Sequence, residues 1–417
     1  MRPDRVTKRN MSTQLFHISF ILIVLSCTCY GLAMPSSSIV TGASGFVGRH
    51  IVHSLVQQRR SDDVIICLVR DSKVKGEQSY WNAHLVDLKE SERCHVKVMA
   101  YDMLDDGTTL KSALDAASEF NSSSKICVYH VASVFGPTSD PVQTANENIK
   151  SAEVVVETMQ DFMRQRNDVS VSGGNQKARL ILTSSMAAVR ATNQVPLNKK
   201  FYTSKDWNTL STLDPNNWGS CYQYSKAESE RRALEQVRKC PDMLEFIALC
   251  PSFVFGPPPP MPMQLQSTFS GSTGESISSS SSFSISLIKQ WLNGSSQVQS
   301  RLCVDVRDVA KAHIAASKIT LDSNEEYKRY ILSTEARLSS ELTADALKRA
   351  VEQSGSTSSI DTSKISCDTA FDGGAIKIGE QEVECIDIVK SDLGVTFRTV
   401  SETFEGMAQA LLAGESF

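Results

Sequence analysis

Short apolar runs alternate along the chain with segments of helical periodicity. The runs of strand length before residue 257 cover 39–40, 64–70, 95–103, 125–132, 178–185 and 244–256. Unbroken apolar runs are typical of strands that are buried on both faces, as parallel sheets require. Stretches with one apolar face, such as 46–58, lie between them and indicate helices. The alternation therefore predicts an α/β fold built on a doubly wound parallel sheet.

The pattern changes after Pro251. Four consecutive prolines at 257–260 remove backbone donors and fix φ, so neither a helix nor a strand continues there. A serine-rich tract follows, and together they predict a Pro/Ser-rich loop at 256–286. Beyond it the sequence indicates a short helix near Trp291, two strands with a helix between them, and two more helical stretches. We therefore expect a first domain over 35–250 and a smaller substrate-binding lobe over 251–417.

The first 34 residues have a basic part followed by an uncharged apolar part. Residues 1–14 contain four basic side chains and one acidic side chain, and residues 15–33 contain no charged side chain. This layout predicts a signal peptide or an uncleaved membrane anchor. The protein would then enter the secretory pathway or ER lumen, or be tethered to a membrane. A true start at Met34 would instead make the protein cytoplasmic.

Composition narrows the set of partners. The formal net charge is −4 with 22% charged residues, and no basic stripe is present, so no nucleic acid is expected. The cysteines and histidines show no metal-ligand spacing, and a disulfide framework is not predicted. We expect a small-molecule substrate and no metal. Membrane contact is expected only through the N-terminal segment, and a homodimer is left open.

Three glycines stand where the first strand meets the first helix. The stretch 41–48 reads TGASGFVG, with Phe46 and Val47 between the second and third glycines, Gly45 and Gly48. In this context Gly42 allows the tight turn, Gly45 lets the backbone approach a pyrophosphate, and Gly48 lets the helix pack closely on the strand. The helix N-terminus adds free N–H groups and a positive dipole end. The first domain is thus predicted to be an NAD(P)-binding Rossmann domain.

The end of the second strand indicates which dinucleotide is bound. A cation there accommodates a ribose 2′-phosphate, whereas an acid binds a 2′-hydroxyl. Arg70 comes first and Asp71 second, with two lysines close behind. This order favours NADP(H) and keeps NAD as an alternative. Asp102 and Met103, at the end of the third strand, are placed to meet the adenine.

A tyrosine and a lysine lie four residues apart on a predicted helix. Tyr222 and Lys226 therefore share one face, and a nearby ammonium is expected to lower the pKa of the phenol. That pair would form a general acid/base. A hydroxyl is also needed to hold the substrate oxygen. Ser185, at the end of the fifth strand, is our choice, with Ser184 as the alternative.

These motifs together resemble the extended short-chain dehydrogenases/reductases, the NAD-dependent epimerase/dehydratase superfamily. The resemblance runs from about residue 37 to the C-terminus. It is closest to the branch of dihydroflavonol reductase, cinnamoyl-CoA reductase and aldehyde reductase. The stretches that carry it read VTGASGFVG, LVRD, VYHVAS, NENIKSAE, LILTSS, YQYSK, CPSFVFGP and VDVRDVAKAH.

The resemblance implies roles for individual residues. Ser185, Tyr222 and Lys226 match the catalytic serine, tyrosine and lysine of the family, and Lys226 would also bind the nicotinamide ribose. The positions matching the wall of the cofactor site are Ala132 and Ser133 after strand four, and Pro251, Ser252 and Val254 beside the nicotinamide. Ser151 departs from the family, which usually has a glycine at that position. Because of the serine tract, the substrate of a relative cannot be assigned to this protein.

The resemblance implies an NADP(H)-dependent oxidoreductase that interconverts a carbonyl and an alcohol. A nucleotide-sugar epimerase or dehydratase on the same scaffold is the first alternative. Dehydratases usually carry an acid shortly after the strand-five serine, where this chain has Met186 and Ala187. A sterol or steroid 3-hydroxy dehydrogenase and a non-catalytic NADP-binding protein are further alternatives. A non-catalytic protein would not need to keep the serine, the tyrosine and the lysine together, so their joint presence argues against that alternative.

Overall fold

We describe the protein from a computed structural model. It describes residues 36–58, 62–86, 88–89, 93–120, 125–169, 176–259, 282–322, 327–354, 360–368 and 379–414. The strands are β1 Ser36–Thr41, β2 Val64–Val69, β3 His95–Ala100, β4 Lys125–His130, β5 Ala178–Thr183, β6 Leu244–Pro251, β7 Phe253–Phe255, β8 Cys303–Asp305 and β9 Tyr327–Leu332. The helices are α1 Phe46–Gln58, α2 Val74–Val86, α3 Thr108–Phe120, α4 Pro141–Val169, α5 Met186–Val189, α6 Trp218–Lys239, α7 Phe283–Leu292, α8 Val306–Ala316, α9 Ser340–Gln353, α10 Ile386–Leu393 and α11 Val400–Gly414.

Seven of the strands form one sheet in the order β3-β2-β1-β4-β5-β6-β9. Every neighbouring pair is parallel. The apolar runs explain why these strands lie inside a parallel sheet, because all six residues of β2 and all six of β5 are buried. The predicted doubly wound parallel sheet is therefore confirmed. The chain reverses its direction of winding between β1 and β4, which opens a crevice at the carboxyl ends of these strands.

Helices cover both faces of the sheet. One buried apolar cluster packs α1 and α8 against one face, and a second packs α3, α4 and α6 against the other. A third cluster joins α7, α9 and α11 around Trp291 and Phe404. The short parallel pair of β7 and β8 adjoins this third cluster. The C-terminal part thus has an apolar core of its own beside the carboxyl edge of the large sheet.

Four details differ from the sequence prediction. The expected strand at 244–256 is two strands, because the chain leaves the large sheet after Pro251 and pairs β7 with β8. β9 joins the large sheet, although it follows residue 250, where the smaller lobe was expected to begin. Three helices, α9 to α11, stand where two stretches were predicted. Helix α2 was not predicted, since only three of its residues are buried.

The expected leader or anchor at 1–34 lies outside the described residues, as does most of the loop expected at 256–286. Among the helices that are described, none combines the length and apolar character needed to cross a membrane. The nine cysteines of the described residues are all free thiols.

Candidate active site

The glycine turn brings β1 and α1 together at the reversal point of the sheet. Gly42 has φ +65°, and a Cβ added to it would lie 3.0 Å from the backbone of Ala132 after β4. A Cβ on Gly48 would collide with the carbonyl oxygen of Gly42. The turn is closed by the Gly45 amide, which donates to that same oxygen at 2.9 Å. Side chains are thus excluded at Gly42 and Gly48, while Phe46 and Val47 begin α1 half-buried.

A buried hydroxyl joins the ends of β1 and β4. Thr41 Oγ1 lies 2.9 Å from His130 Nδ1 and accepts hydrogen bonds from the amides of Val131 and Ala132 at 3.0 and 3.1 Å. Burial lowers the pKa of His130 to about 3, with a smaller effect in the same direction from the charge of Lys226, so the imidazole is neutral. The sequence reasoning missed this pair, which holds the two walls of the crevice in register.

The positions expected to bind the dinucleotide lie just after the carboxyl ends of β2, β3 and β4. Arg70 is exposed directly after β2, ahead of a short 3-10 helix at Asp71–Lys73. Asp102 is exposed after β3, and its carboxylate accepts the Leu104 amide at 2.9 Å. Ser133 after β4 has a buried hydroxyl without a hydrogen-bond partner. A glycine turn that excludes side chains, an exposed cation and an unpartnered hydroxyl together fit a bound dinucleotide.

The remaining positions predicted to border the cofactor stand at two other strand ends. Met103 packs half-buried against the apolar cluster under β3 and β4. Pro251 is buried at the last residue of β6, and Val254 is half-buried in β7. Ser252, between these two strands, donates its amide to the Leu332 carbonyl at 3.0 Å. These residues line the same carboxyl edge, from β3 on one side to β6 on the other.

The predicted catalytic side chains meet at the end of β5. The phenol of Tyr222 is hydrogen-bonded with Ser185, which begins α5 as its N-cap. Lys226, one turn further along α6, donates from Nζ to the carbonyl oxygen of Thr183 at 2.9 Å. The four-residue spacing on one helix thus places both side chains at this strand end.

The two neighbouring serines have different surroundings. Ser184 is buried, and its hydroxyl donates to the carboxylate of Glu230 at 2.5 Å. Ser185 is half-buried, and its Oγ accepts the Ala187 amide at 3.1 Å. Ser184 therefore faces the protein interior, whereas Ser185 faces the phenol of Tyr222.

The expected direction of the tyrosine pKa shift was wrong. Burial raises the pKa of Tyr222 to about 12, and the hydrogen bond with Ser185 opposes this only in part. Burial also lowers the pKa of Lys226 to about 8, while the neighbouring Cys250 and Glu230 side chains oppose that shift. Desolvation disfavours the charged form of both groups, and it is the largest cause of both pKa shifts. The phenol of Tyr222 is consequently neutral at pH 7.

An aromatic wall, which the sequence did not predict, stands beside Tyr222. The Phe135 ring lies 4.7 Å from that of Tyr222, 5.1 Å from Phe283 and 5.9 Å from Trp218, measured between centroids. Phe135 is 40% exposed, so this wall is open to solvent. Asn148 of α4 holds the loop in place by accepting the Val134 amide at 2.8 Å and donating to the Val134 carbonyl at 3.0 Å. Residues from three separate elements form the wall, which no local pattern reveals.

Among the described residues, no three or more His, Cys, Asp or Glu side chains are grouped so as to hold a metal ion.

Comparison with known proteins agrees with this description. The sequence model of an NAD-binding family described as "Male sterility protein" matches residues 40–276. An uncharacterized oxidoreductase of Schizosaccharomyces pombe is 28% identical over 286 residues, which are 67% of this chain and 72% of that protein.

Solved structures share the fold at low identity. Yeast methylglyoxal/isovaleraldehyde reductase Gre2, solved with NADPH, is 20% identical with a TM-score of 0.63, over 90% of this chain and 98% of that chain. MoeE5, solved with UDP-glucuronic acid and NAD, is 16% identical with a TM-score of 0.53, over 89% of this chain and 98% of that chain. The matched family and the common fold confirm the resemblance carried by the sequence motifs. The chain is an oxidoreductase that belongs to this NAD-binding family, within the extended short-chain dehydrogenases/reductases.

Proposed function

We propose that this protein is an NADP(H)-dependent oxidoreductase that interconverts a carbonyl and an alcohol on a small organic substrate. One observation carries the proposal: Ser185, Tyr222 and Lys226 converge at the end of β5, two strands from β1 and its glycine turn, on the same carboxyl edge of the sheet. A proton donor and a hydroxyl thereby stand beside the crevice that would hold the dinucleotide.

Each catalytic side chain has one task in carbonyl reduction. The hydroxyl of Ser185 would bind the substrate oxygen, and Tyr222 would donate its proton to that oxygen. The raised pKa of Tyr222 keeps the phenol protonated at pH 7, the form that reduction requires. When bound, NADPH would supply the hydride to the carbonyl carbon. Lys226 would stabilise the phenolate that is left on Tyr222 by its positive charge.

The preference for NADP(H) rests on Arg70. This guanidinium is exposed at the end of β2, where a ribose 2′-phosphate would lie. Arginine can donate two parallel hydrogen bonds to phosphate oxygens. Yeast Gre2, which shares the fold, was solved with NADPH.

The aromatic wall favours a small carbonyl compound over a nucleotide sugar. Phe135, Trp218 and Phe283 present apolar ring surface beside Tyr222, which suits an aliphatic or aromatic substituent. Met186 and Ala187 supply no acid after the catalytic serine, where a dehydratase usually has one. MoeE5, which was solved with a sugar nucleotide, shares the fold. The aromatic wall and the missing acid do not support a sugar nucleotide as the substrate of this protein.

Titration with NADPH and NADH, followed by turnover of an aldehyde and ketone panel, tests the proposal. Protein beginning at residue 35 avoids the predicted leader. We expect tighter binding of NADPH than of NADH, and oxidation of NADPH that depends on an added carbonyl compound. Protein that binds neither dinucleotide, or that binds NADPH and reduces no compound of the panel, would contradict it.

A further inference from the structure

A buried carboxylate lies one turn beyond the catalytic lysine on α6. Glu230 follows Lys226 by four residues, and its side chain is 0% exposed. A buried carboxylate is costly unless hydrogen bonds or an opposite charge compensate it. The mechanism above gives Glu230 no chemical task, so its surroundings require another explanation.

Both oxygens of this carboxylate are fully engaged. Oε2 accepts the hydroxyl of Ser184 at 2.5 Å and an Nη donor of Arg329 at 3.2 Å. Oε1 accepts the phenol of Tyr327 at 2.6 Å and lies 2.7 Å from Nε of Arg329. The thiol of Cys250 also approaches Oε2 at 3.6 Å. Glu230 thereby connects α6 with β5, β6 and β9.

Arg329 extends this connection to the segment that precedes α6. One guanidinium nitrogen donates to the carbonyl oxygens of Ser204, at 3.2 Å, and of Asp206. The other donates to the Ala188 carbonyl in α5 at 3.1 Å. The guanidinium carbon also lies 4.0 Å from the centre of the Trp207 ring. One side chain on β9 therefore holds both the helix that Ser185 caps and the loop that leads into α6.

These contacts converge on the catalytic residues from three sides. Ser184 is the direct neighbour of Ser185, Ala188 belongs to the helix capped by Ser185, and Glu230 shares a helix face with Lys226. Arginine supplies a planar set of donors that fits several acceptors at once. A charged network with every acceptor occupied holds its members in one arrangement.

We propose that Glu230 is a positioning residue for the carbonyl reduction proposed above, and that it acts through Arg329 and Ser184. The carboxylate orients the guanidinium, and the guanidinium fixes the 186–208 segment. The bond to Ser184 fixes the turn that presents Ser185 to Tyr222. Glu230 itself touches none of the reacting groups.

The charge of Glu230 also affects the pKa of Lys226. The charged or titratable groups that act on Lys226 are Glu230 on its own helix, Cys250 on β6 and His130 at the end of β4. Glu230 favours the ammonium form of Lys226. A neutral residue at 230 should thus shift the titration of Lys226 to lower pH.

The experiment compares Glu230→Gln with Glu245→Gln in protein that is otherwise wild type. Glu245 pairs with Arg179, whose side chain is only 2% exposed and donates to two backbone carbonyls. That ion pair joins β5 and β6 at their opposite, amino ends. It is therefore a matched control for the loss of a charge from an arginine pair on the same strands.

For Glu230→Gln we expect kcat to fall about 10- to 100-fold, the usual effect of a small misplacement of reacting groups. The KM for NADPH at pH 6.5 should stay within about twofold, and the basic limb of kcat/KM for NADPH should move about one pH unit lower. The Asn208 amide, which donates to the Ala188 carbonyl at 2.9 Å, should exchange its hydrogen at least about tenfold faster. Glu245→Gln should keep wild-type values for all of these measurements.

A pH profile and an Asn208 exchange rate in Glu230→Gln that match wild type overturn the proposal, as do equal changes in both variants. If Glu230→Gln fails to fold, Ser184→Ala replaces it, because that change removes only one hydrogen bond to Oε2. Ser184→Ala should lower kcat about tenfold at unchanged KM for NADPH, and wild-type kcat would overturn the proposal. Wild-type protein that reduces no carbonyl refutes the proposed function instead, and the Asn208 exchange rate still decides whether Glu230 holds the segment.

Discussion

Replacing Tyr222 by phenylalanine separates the chemistry of the site from its packing. The substituted ring keeps its place against Phe135, which lies 4.7 Å away between centroids. What disappears is the phenolic hydroxyl and its hydrogen bond with Ser185. One such bond contributes about 1 kcal/mol to the free energy of unfolding. A positioned general acid contributes about 10²- to 10⁴-fold in rate, which corresponds to about 3–5 kcal/mol of activation free energy.

The two magnitudes predict clearly different outcomes for stability and turnover. Tyr222→Phe should unfold at nearly the same denaturant concentration as wild type, while kcat for carbonyl reduction falls at least about 100-fold. NADPH oxidation under single-turnover conditions measures the chemical step. Tyr224→Phe is the matched control, since Tyr224 lies on the same helix and is also half-buried, but does not share a face with Lys226. If Tyr222→Phe keeps kcat within about threefold of wild type, Tyr222 is not the proton donor.

Three further predictions concern the cofactor, the substrate and acid stability. Arg70→Ser should raise the Kd of NADPH about 10- to 100-fold, as expected for a lost charge-assisted hydrogen bond, and leave that of NADH unchanged; equal changes for both would exclude a 2′-phosphate contact. Phe135→Ala should lower kcat/KM about tenfold for a bulky apolar ketone but little for the smallest aldehyde, whereas equal losses would contradict the aromatic wall as a substrate surface. Burial lowers the pKa of His130 to about 3 and that of His313 to about 4. Because the unfolded histidines bind protons below about pH 6.5, their contribution to the free energy of unfolding should be fully present above that pH. The free energy of unfolding should fall by about 2.5 kcal/mol per histidine by pH 4.5. Urea unfolding at pH 7.5 and 4.5 measures the difference, His313→Gln should reduce it, and equal midpoints at both pH values would refute the assignment.

The local features of the candidate dinucleotide site could be predicted from the sequence. The glycine spacing in 41–48 depends on backbone space within one turn, so it could be interpreted before any long-range contact was known. The apolar runs predicted the strands of the large sheet because burial on both faces requires unbroken apolar residues. The spacing of Tyr222 and Lys226 predicted a shared helix face for the same kind of reason. Each of these inferences needs only a few consecutive residues.

The features that were missed depend on residues far apart in the chain. Glu230 and Arg329 are separated by 99 positions, and Thr41 and His130 by 89, so no sequence period connects them. The direction of the Tyr222 pKa shift was wrong for a related reason. The spacing predicts an ammonium near the phenol, but only the packed structure shows that burial is the largest influence on the pKa of both groups.

The sequence by itself thus determined the fold class and predicted the candidate catalytic side chains. Both follow from short-range rules of strand burial, helix periodicity and turn geometry. The tertiary structure decided which serine faces the tyrosine, which aromatic rings stand beside it and which charges hold the site in place. These properties arise from the closing of long loops, which brings β9, α6 and the end of β5 into contact around one buried carboxylate.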